Sequence, residues 1–133
     1  MTERELPEAS RAVLVGLAQK GENTDALERS MDELEGLLKT AGGECIARLT
    51  QSKEAPDART MIGSGKAAEL AYLCACNDID LVVFDCELSP SQIRNLEDDT
   101  NVRVIDRTML ILDIFAQRAI SGEGKLQVEL AQL

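Results

Sequence analysis

The sequence predicts an α/β protein: a doubly wound, mostly parallel sheet of about four strands with helices on both faces. Short apolar segments alternate along the chain with segments of helical periodicity. Residues 11–17 and 81–84 are almost wholly apolar, which is typical of strands buried on both faces of a parallel sheet. The crossovers between such strands are expected to be right-handed. Functional groups are therefore expected at the carboxyl ends of the strands.

The first helix is predicted over residues 24–41, between an N-cap at Asn23 or Thr24 and a stop at Gly42. Its apolar side chains recur at helical spacing, as Leu27, Met31, Leu34 and Leu38. The next strand, residues 44–51, alternates polar side chains with Cys45, Ala47 and Leu49. One face of this strand is therefore expected to be wetter, which indicates a position near a sheet edge.

The middle of the chain contains a second helix, at residues 66–77, and a third helix with a clear start. Ser89 is an N-cap serine, proline follows at the first helical position, and Gln92 stands three residues after the cap. Leu88 and Ile93 flank the cap and can form a hydrophobic staple. The pattern predicts that the third helix begins directly after Ser89.

The fourth helix is predicted over residues 107–120, after a short strand at residues 102–105 and with Asp106 as its cap. Its apolar side chains cover almost the whole circumference: Met109, Leu110, Ile111, Leu112, Ile114 and Phe115. Such a helix must be buried on more than one side, or it must pack on something outside this chain.

Residues 123–133 carry apolar side chains at helical spacing without a stop signal, at Leu126, Leu130 and Leu133. We expect an α/β domain over residues 1–121 and the start of a helical linker over residues 122–133. The linker is expected to continue beyond Leu133, and its apolar stripe offers a route to self-association.

Composition limits the classes of function. The chain has 133 residues, enough for one domain, with a net charge of −10 and only 2% aromatic residues. The negative charge repels phosphate backbones, so contact with nucleic acid would require a local basic patch. No apolar run approaches the roughly 20 residues of a membrane span, and a cytoplasmic protein is expected. With no histidine present, the four cysteines, Cys45, Cys74, Cys76 and Cys86, are predicted to be structural thiols.

A glycine-rich turn, Gly63, Ser64, Gly65 and Lys66, opens the second helix. Free backbone N–H groups at a helix N-terminus favour anions, so this turn is a candidate for a phosphate or RNA-backbone contact. It departs from a Walker A loop because Thr60 and Ala67 stand where a glycine and a serine or threonine are needed. A plain turn is the preferred interpretation.

Two acidic residues, Asp85 and Asp106, stand at strand ends and could form an acid–base pair or bind magnesium. A turn or cap role is preferred, because no nucleophile or third carboxylate accompanies them. The sequence predicts neither a catalytic set nor a metal site. Candidates for a local basic surface are Arg94, Arg107, Arg118 and Lys125.

Residues 80–96, DLVVFDCELSPSQIRNL, and residues 104–118, VIDRTMLILDIFAQR, resemble the amino-terminal domain of HflX GTPases. The GSGK turn at residues 63–66 and the segment GKLQVELAQL at residues 124–133 are similar to the same family. The resemblance extends over residues 11–133 and rests chiefly on the two long segments.

The resemblance implies a GTP-binding protein associated with the large (50S) ribosomal subunit, whose amino-terminal module docks on ribosomal RNA and on its own GTPase domain. GTP and Mg²⁺ are then expected in a GTPase domain outside this chain, and no cofactor is expected within it. An alternative is a weak adenine-nucleotide site of the domain's own, at Gly63 to Lys66. Two departures from the family are the uncharged turn Ile120-Ser121-Gly122 and Cys86, where an acid is usual.

Overall fold

The computed structural model describes residues 10–120, with side chains described as far as residue 116. Strands and helices alternate strictly along this part of the chain. The elements are β1 (Ser10–Gln19), α1 (Thr24–Thr40), β2 (Gly43–Lys53), α2 (Ser64–Cys76), β3 (Leu81–Phe84), α3 (Pro90–Thr100), β4 (Arg103–Asp106) and α4 (Arg107–Ile120). The predicted order of elements is confirmed. The predicted linker at residues 122–133 lies outside the described residues and stays a prediction.

The four strands form one parallel sheet in the order β2-β1-β3-β4. Strand β1 is paired with β2 from Ser10 to Gln19 and with β3 from Ala12 to Val15. The chain leaves β1 toward one edge of the sheet and leaves β3 toward the other. Adjacent strands with opposite exits form a topological switch point, the usual location of ligand crevices in such sheets.

The core consists of two apolar layers, one on each face of the sheet. Val13 and Val15 of β1 face the layer that α2 and α3 complete with Leu70 and Leu96. Their neighbours Ala12 and Leu14 face the opposite layer, which α1 and α4 complete with Met31, Leu34, Leu38, Leu110 and Ile114. Because side chains alternate along a strand, β1 supplies both layers and must be apolar throughout. The predicted α/β fold with helices on both faces is confirmed.

Strand β2 lies at an edge of the sheet, as its wetter face predicted. The expectation that Cys45 and Leu49 share one face is wrong, because Cys45 packs against the layer of α1 and Leu49 belongs to the opposite layer. The pairing passes from Ala12 with Cys45 to Val13 with Ala47, so Ile46 is an extra residue in β2. Such a bulge reverses the alternation beyond it.

Helix α1 packs closely on β1 at Gly16. A Cβ atom at this position would lie 2.7 Å from Sδ of Met31, which is closer than a carbon and a sulfur can approach. Asn23 caps α1 by accepting the backbone N–H of Asp25, as predicted. Gly42, with φ of +92°, allows the chain to turn out of the helix into β2.

Helix α3 begins with the predicted capping box. The Ser89 side chain accepts the N–H of Gln92, and the Gln92 side chain accepts the N–H of Ser89. Leu88 and Ile93, the predicted staple residues, lie in the same apolar cluster. The sequence therefore specified both the first residue of α3 and the path of the chain into it.

Helix α4 buries one side and leaves another exposed. Leu110 and Ile114 are buried, whereas the side chains of Leu112 and Phe115 are each 60% exposed. Within the described residues α4 is thus not buried on more than one side, and its packing on something outside this chain stays a prediction. None of the helices within the described residues is long and apolar enough to cross a membrane.

We predict that Ser89→Ala lowers the free energy of unfolding by about 1 kcal/mol, because the substitution leaves the Gln92 N–H without its acceptor. Urea denaturation followed by circular dichroism measures the change. Ser64→Ala is the matched control, since Ser64 is an exposed first residue of α2 and not its cap. Equal stability losses in the two variants would contradict the role of the capping box.

Candidate functional site

Because the strands are parallel, all four strand-to-helix connections leave the same edge of the sheet. Asp85 follows β3 directly, and Asp106 ends β4. The loop of residues 54–63 follows β2 and leads to the glycine-rich turn. This carboxyl edge therefore gathers the predicted strand-end acids and most of the predicted phosphate contacts at one end of the molecule.

Asp85 is held in an ion pair with Arg107, the first residue of α4. The guanidinium donates from Nη2 and Nε to Oδ1 of Asp85, at 2.6 and 3.1 Å. The Ser30 hydroxyl on α1 donates to Oδ2 of Asp85 at 2.7 Å, and Arg107 also donates to the Ser30 carbonyl oxygen at 2.8 Å. We call Ser30, Asp85 and Arg107 the edge clamp. It joins α1, β3 and α4.

The clamp is largely shielded from solvent. The exposed fractions of the Asp85 and Arg107 side chains are 13% and 26%, and Glu33 approaches Arg107 from outside at 3.6 Å. Both carboxylate oxygens of Asp85 already accept charge-assisted hydrogen bonds. The arrangement stabilises the packing of two helices on the sheet. It leaves Arg107 little freedom to bind an external phosphate.

Asp106 is buried and caps α4, as predicted. Its Oδ1 accepts the N–H of Met109 at 3.0 Å, and its Oδ2 accepts the N–H of Leu88 at 3.1 Å. The same carboxylate therefore fixes the start of α4 and the loop that enters α3. Asp85 and Asp106 occupy adjacent strand ends, but each carboxylate has its own set of donors.

The glycine-rich turn opens α2 without a side-chain cap. The N–H of Gly63 donates to Oε1 of Gln51 at 2.8 Å, and Lys66 pairs with Glu69 of its own helix at 3.3 Å. The ammonium of Lys53 stands 3.5 Å from the place where a Cβ on Gly63 would lie. Lys53, the last residue of β2, therefore lies beside the positive N-terminal end of the α2 dipole.

The loop between β2 and α2 is fastened to α3. The Asp57 carboxylate accepts the N–H groups of Arg59 and Thr60, and the Gln92 side chain donates to the Asp57 carbonyl oxygen at 3.2 Å. Arg59 forms two hydrogen bonds with Asp99, at 2.8 and 3.0 Å. The Arg59 guanidinium lowers the pKa of the Asp99 carboxyl, and the two backbone N–H groups lower the pKa of Asp57.

The remaining predicted basic residues do not join this edge as a group. Arg94 is exposed on α3. The side chains of Arg118 and Lys125 lie outside the described residues, so their contribution to a basic surface stays a prediction.

The cysteines lie in different environments. Cys74 is buried and burial raises its pKa to about 11, whereas Cys76 is exposed. Residues two apart on a helix point to different sides, so only Cys74 of this pair packs in the core. Across the part of the chain that the structure describes, no three side chains of the metal-ligating types are close enough to hold an ion.

The sequence reasoning missed Ser30 and Lys53. Ser30 follows Leu27 by three residues and precedes Leu34 by four, so it lies on the buried stripe of α1. A polar residue on such a stripe indicates a polar partner in the core, and that pattern could have identified it. Lys53 carried no comparable indication, because its proximity to Gly63 depends on the path of the loop between them.

Two of the cavities on the described part of the surface lie beside β2, and neither is lined by residues of the edge clamp. One, of about 290 Å³, lies at the carboxyl ends of β1 and β2, and its lining mixes Lys53 with Glu22 and Glu54. The other, of about 550 Å³, lies between α1 and β2 and is lined by Thr24, Leu27, Glu28, Met31, Arg48 and Thr50. Neither lining contains a nucleophile paired with a general base, the arrangement that nucleophilic catalysis requires.

The fold and its carboxyl edge define a doubly wound α/β domain whose strand-end charges hold its own helices in place. Comparison with known proteins identifies the family. The chain belongs to the GTP-binding GTPase N-terminal family, whose model matches residues 28–116. The resemblance to the amino-terminal domain of HflX GTPases is confirmed.

The chain is similar to several curated proteins named GTPase HflX. It is 50% identical to that of Alkalihalophilus pseudofirmus over 121 residues, covering 91% of this chain and 28% of the relative. For Escherichia coli K12 the identity is 52% over 103 residues, covering 77% of this chain and 24% of the relative. For Flavobacterium psychrophilum it is 42% over 132 residues, covering 99% and 32%. The chain thus spans about a quarter to a third of these relatives.

Solved structures support the fold. A crystal structure of a complex of SsGBP with GDP superposes with a TM-score of 0.60 at 21% identity, covering 92% of this chain and 34% of that chain. The catalytic domain of an IS607-like serine recombinase superposes with a TM-score of 0.54 at 14% identity, covering 92% of this chain and 96% of that chain. At such identities the similarity concerns the fold alone.

We predict that a double-mutant cycle on Asp85→Asn and Arg107→Gln gives a coupling energy of about 1–3 kcal/mol, because the pair is desolvated and hydrogen-bonded. Chemical denaturation of the four proteins measures it. The control cycle uses Asp32 and Arg48, an ion pair in which Asp32 is 70% exposed, and should give less than about 1 kcal/mol. Equal coupling in the two cycles would show that the clamp does not hold the helices.

We predict opposite effects on acid sensitivity from two aspartates. The pKa of Asp99 is lowered in the folded protein, so its contribution to stability is present above about pH 4 and lost as the pH falls through the folded pKa. Burial raises the pKa of Asp113, so its contribution is present below about pH 4 and lost as the pH rises through the folded pKa.

Asp99→Asn should therefore reduce the rise in Tm between about pH 3 and pH 6, and Asp113→Asn should increase it. Differential scanning calorimetry at several pH values provides the measurement. Changes of the same sign in both variants would refute the assignment.

Proposed function

We propose that this chain is the amino-terminal module of a cytoplasmic, ribosome-associated GTPase, and that it docks on ribosomal RNA of the large subunit and on its own GTPase domain. The family match over residues 28–116 carries the proposal. GTP and Mg²⁺ belong to the GTPase domain outside this chain, so the module acts on GTP turnover indirectly, by positioning that domain.

Two features of the structure are consistent with a docking role. The strand-end carboxylates Asp85 and Asp106 are engaged in a clamp and a cap. The exposed surface of α1 carries Asp25, Glu28, Asp32 and Glu33, which disfavours an approach of RNA from that side. These observations favour a rigid module that contacts RNA through a small area elsewhere on its surface.

The start of α2 is the best candidate for that area. Its N-terminal N–H groups have no side-chain cap, and Lys53 and Lys66 lie beside them. A phosphate of the RNA backbone would satisfy the N–H groups and meet both ammonium groups. The alternative of an adenine-nucleotide site at the same turn has no further observation in its favour.

We predict that Lys53→Glu/Lys66→Glu, made in the full-length protein, weakens binding to purified 50S subunits at least several-fold, because each lost phosphate contact removes a salt-dependent attraction. Cosedimentation over a series of salt concentrations measures the affinity. The salt dependence should also become less steep, by roughly one contact for each lysine.

The control is Arg29→Glu/Lys39→Glu, which makes the same change of charge on exposed positions of α1. If both double variants weaken binding equally, the effect is one of net charge and the location on α2 is wrong. If the unmodified full-length protein fails to sediment with the subunit, the proposed function itself is wrong. Basal GTP hydrolysis without ribosomes should be unchanged in both variants.

A further inference from the structure

Strand β2 is the longer edge of the sheet, and its outer side has no partner strand within the described residues. It has 11 residues, whereas β4 at the other edge has 4. Of the side chains of β2 only Leu49 is buried, which indicates that the strand is open to solvent. An edge strand directs a row of backbone N–H and C=O groups away from the sheet, and such a row is a template for a further strand.

The devices that usually protect a long edge are weak along the second part of β2. Proteins protect such edges with proline, with charged side chains or with a bulge. The bulge at Ile46 disturbs the first part of β2, but the strand pairs with β1 without interruption from Ala47 onward. Arg48 is turned onto α1, where its guanidinium pairs with Asp32 and Glu35 at 2.8 Å each. The regular part of the edge is therefore left open.

Beside this part of the edge lies the cavity of about 550 Å³ between α1 and β2, which we call the edge groove. Leu27 and Met31 form its apolar wall, and Arg48 and Thr50 line it from β2. Arg48 is paired with Leu14 of β1, so it points to the face of the sheet that α1 covers. In an added strand every second side chain points to the same face. A strand beside β2 would therefore direct one of its side chains toward the groove.

The charges around the edge groove are predominantly negative. Glu28 lines the groove and has no ion-pair partner among the described residues. Asp32 and Glu35 pair with Arg48, and Lys39 pairs with Glu35, so three carboxylates stand against two cations. With a net charge of −10 on the chain as well, a cationic partner is attracted here and RNA is repelled. Charge complementarity therefore favours a basic peptide as the occupant.

We propose that the edge groove binds an extended basic segment of a partner protein, which adds to β2 as a further strand. On the side of α1 the segment presents an aliphatic residue to Leu27 and Met31, and flanking Lys or Arg residues meet Glu28 and Asp32. Main-chain hydrogen bonds supply the affinity and alternate side chains the specificity. Helix α2 packs on the opposite face of the sheet, so this surface is separate from the proposed RNA contact.

The probe is a fluorescein-labelled, amidated peptide of sequence Thr-Lys-Thr-Val-Thr-Lys-Thr. The sequence reads the same in both directions, so both lysines and the valine share one face whichever way the peptide runs. We expect saturable, micromolar binding to the full 133-residue chain, measured by fluorescence anisotropy. Replacing both lysines of the peptide with glutamate should weaken binding roughly ten-fold or more, because the groove repels the reversed charge. Absence of saturable binding of the lysine peptide would overturn the proposal.

Backbone methylation distinguishes strand addition from simple charge attraction. In an added strand only every second N–H group points to β2, so methylation of one alternate set removes the main-chain hydrogen bonds. One peptide is N-methylated at both lysines and the valine, and the other at three of its threonines. We expect one of the two to bind roughly ten-fold or more weakly than the other, because each lost hydrogen bond costs affinity. Equal affinities would overturn the addition to β2.

Variants of the chain test the location. Glu28→Lys should weaken binding of the lysine peptide at least several-fold, because it reverses the charge at the groove. Asp98→Lys is the matched control, since it makes the same change at an exposed position of α3, on the opposite face of the sheet. Equal weakening in both variants would show an effect of net charge and overturn the location.

Competition identifies the other occupants. Sedimentation equilibrium should show a monomer, because two copies with a net charge of −10 repel one another. A dimer that the lysine peptide dissociates would replace the peptide by a second copy pairing along β2. Displacement of the peptide by a short oligouridine would assign the edge groove to RNA and overturn the proposal.

Discussion

The parallel pairing of β1 between β2 and β3 is the constraint on which the rest of the structure depends. A strand in this position is covered by helices on both faces, so it can carry no charged side chain in its middle. Residues 12–15 and the whole of β3 meet this requirement. Parallel pairing also sends every strand-to-helix connection out at one edge. Within the described residues, charged side chains therefore lie at the ends of the strands, on the edge strand β2, in the loops and on the outer sides of the helices.

At this edge the strand-end charges stabilise the fold itself. Partly buried carboxylates are tolerated only when donors surround them, and Asp85 and Asp106 obtain those donors from α1, α4 and the loop before α3. A catalytic carboxylate would need to keep an oxygen available for a substrate. At this edge both carboxylates therefore serve to hold helices and loops on the sheet.

The sequence was sufficient wherever the determining interactions are local. The capping box at Ser89 involves residues three apart, and the apolar runs of β1 and β3 reflect burial in any parallel sheet. It was insufficient where residues distant in sequence decide the outcome. Ile46 is an extra residue in the pairing of β2 with β1, so the side chains that follow it point to the opposite face of the sheet. The alternation of polar and apolar residues in β2 does not indicate this change. The edge clamp joins positions 30, 85 and 107, so only the assembled sheet brings them together.

The position of α4 is fixed jointly by the edge clamp and by the apolar core. Its first residue, Arg107, is fixed by Asp85 and Ser30, and its first turn is capped by Asp106. Its inner side is fixed by Leu110 and Ile114. A helix held at its start and along one side has a defined direction and a defined outer face.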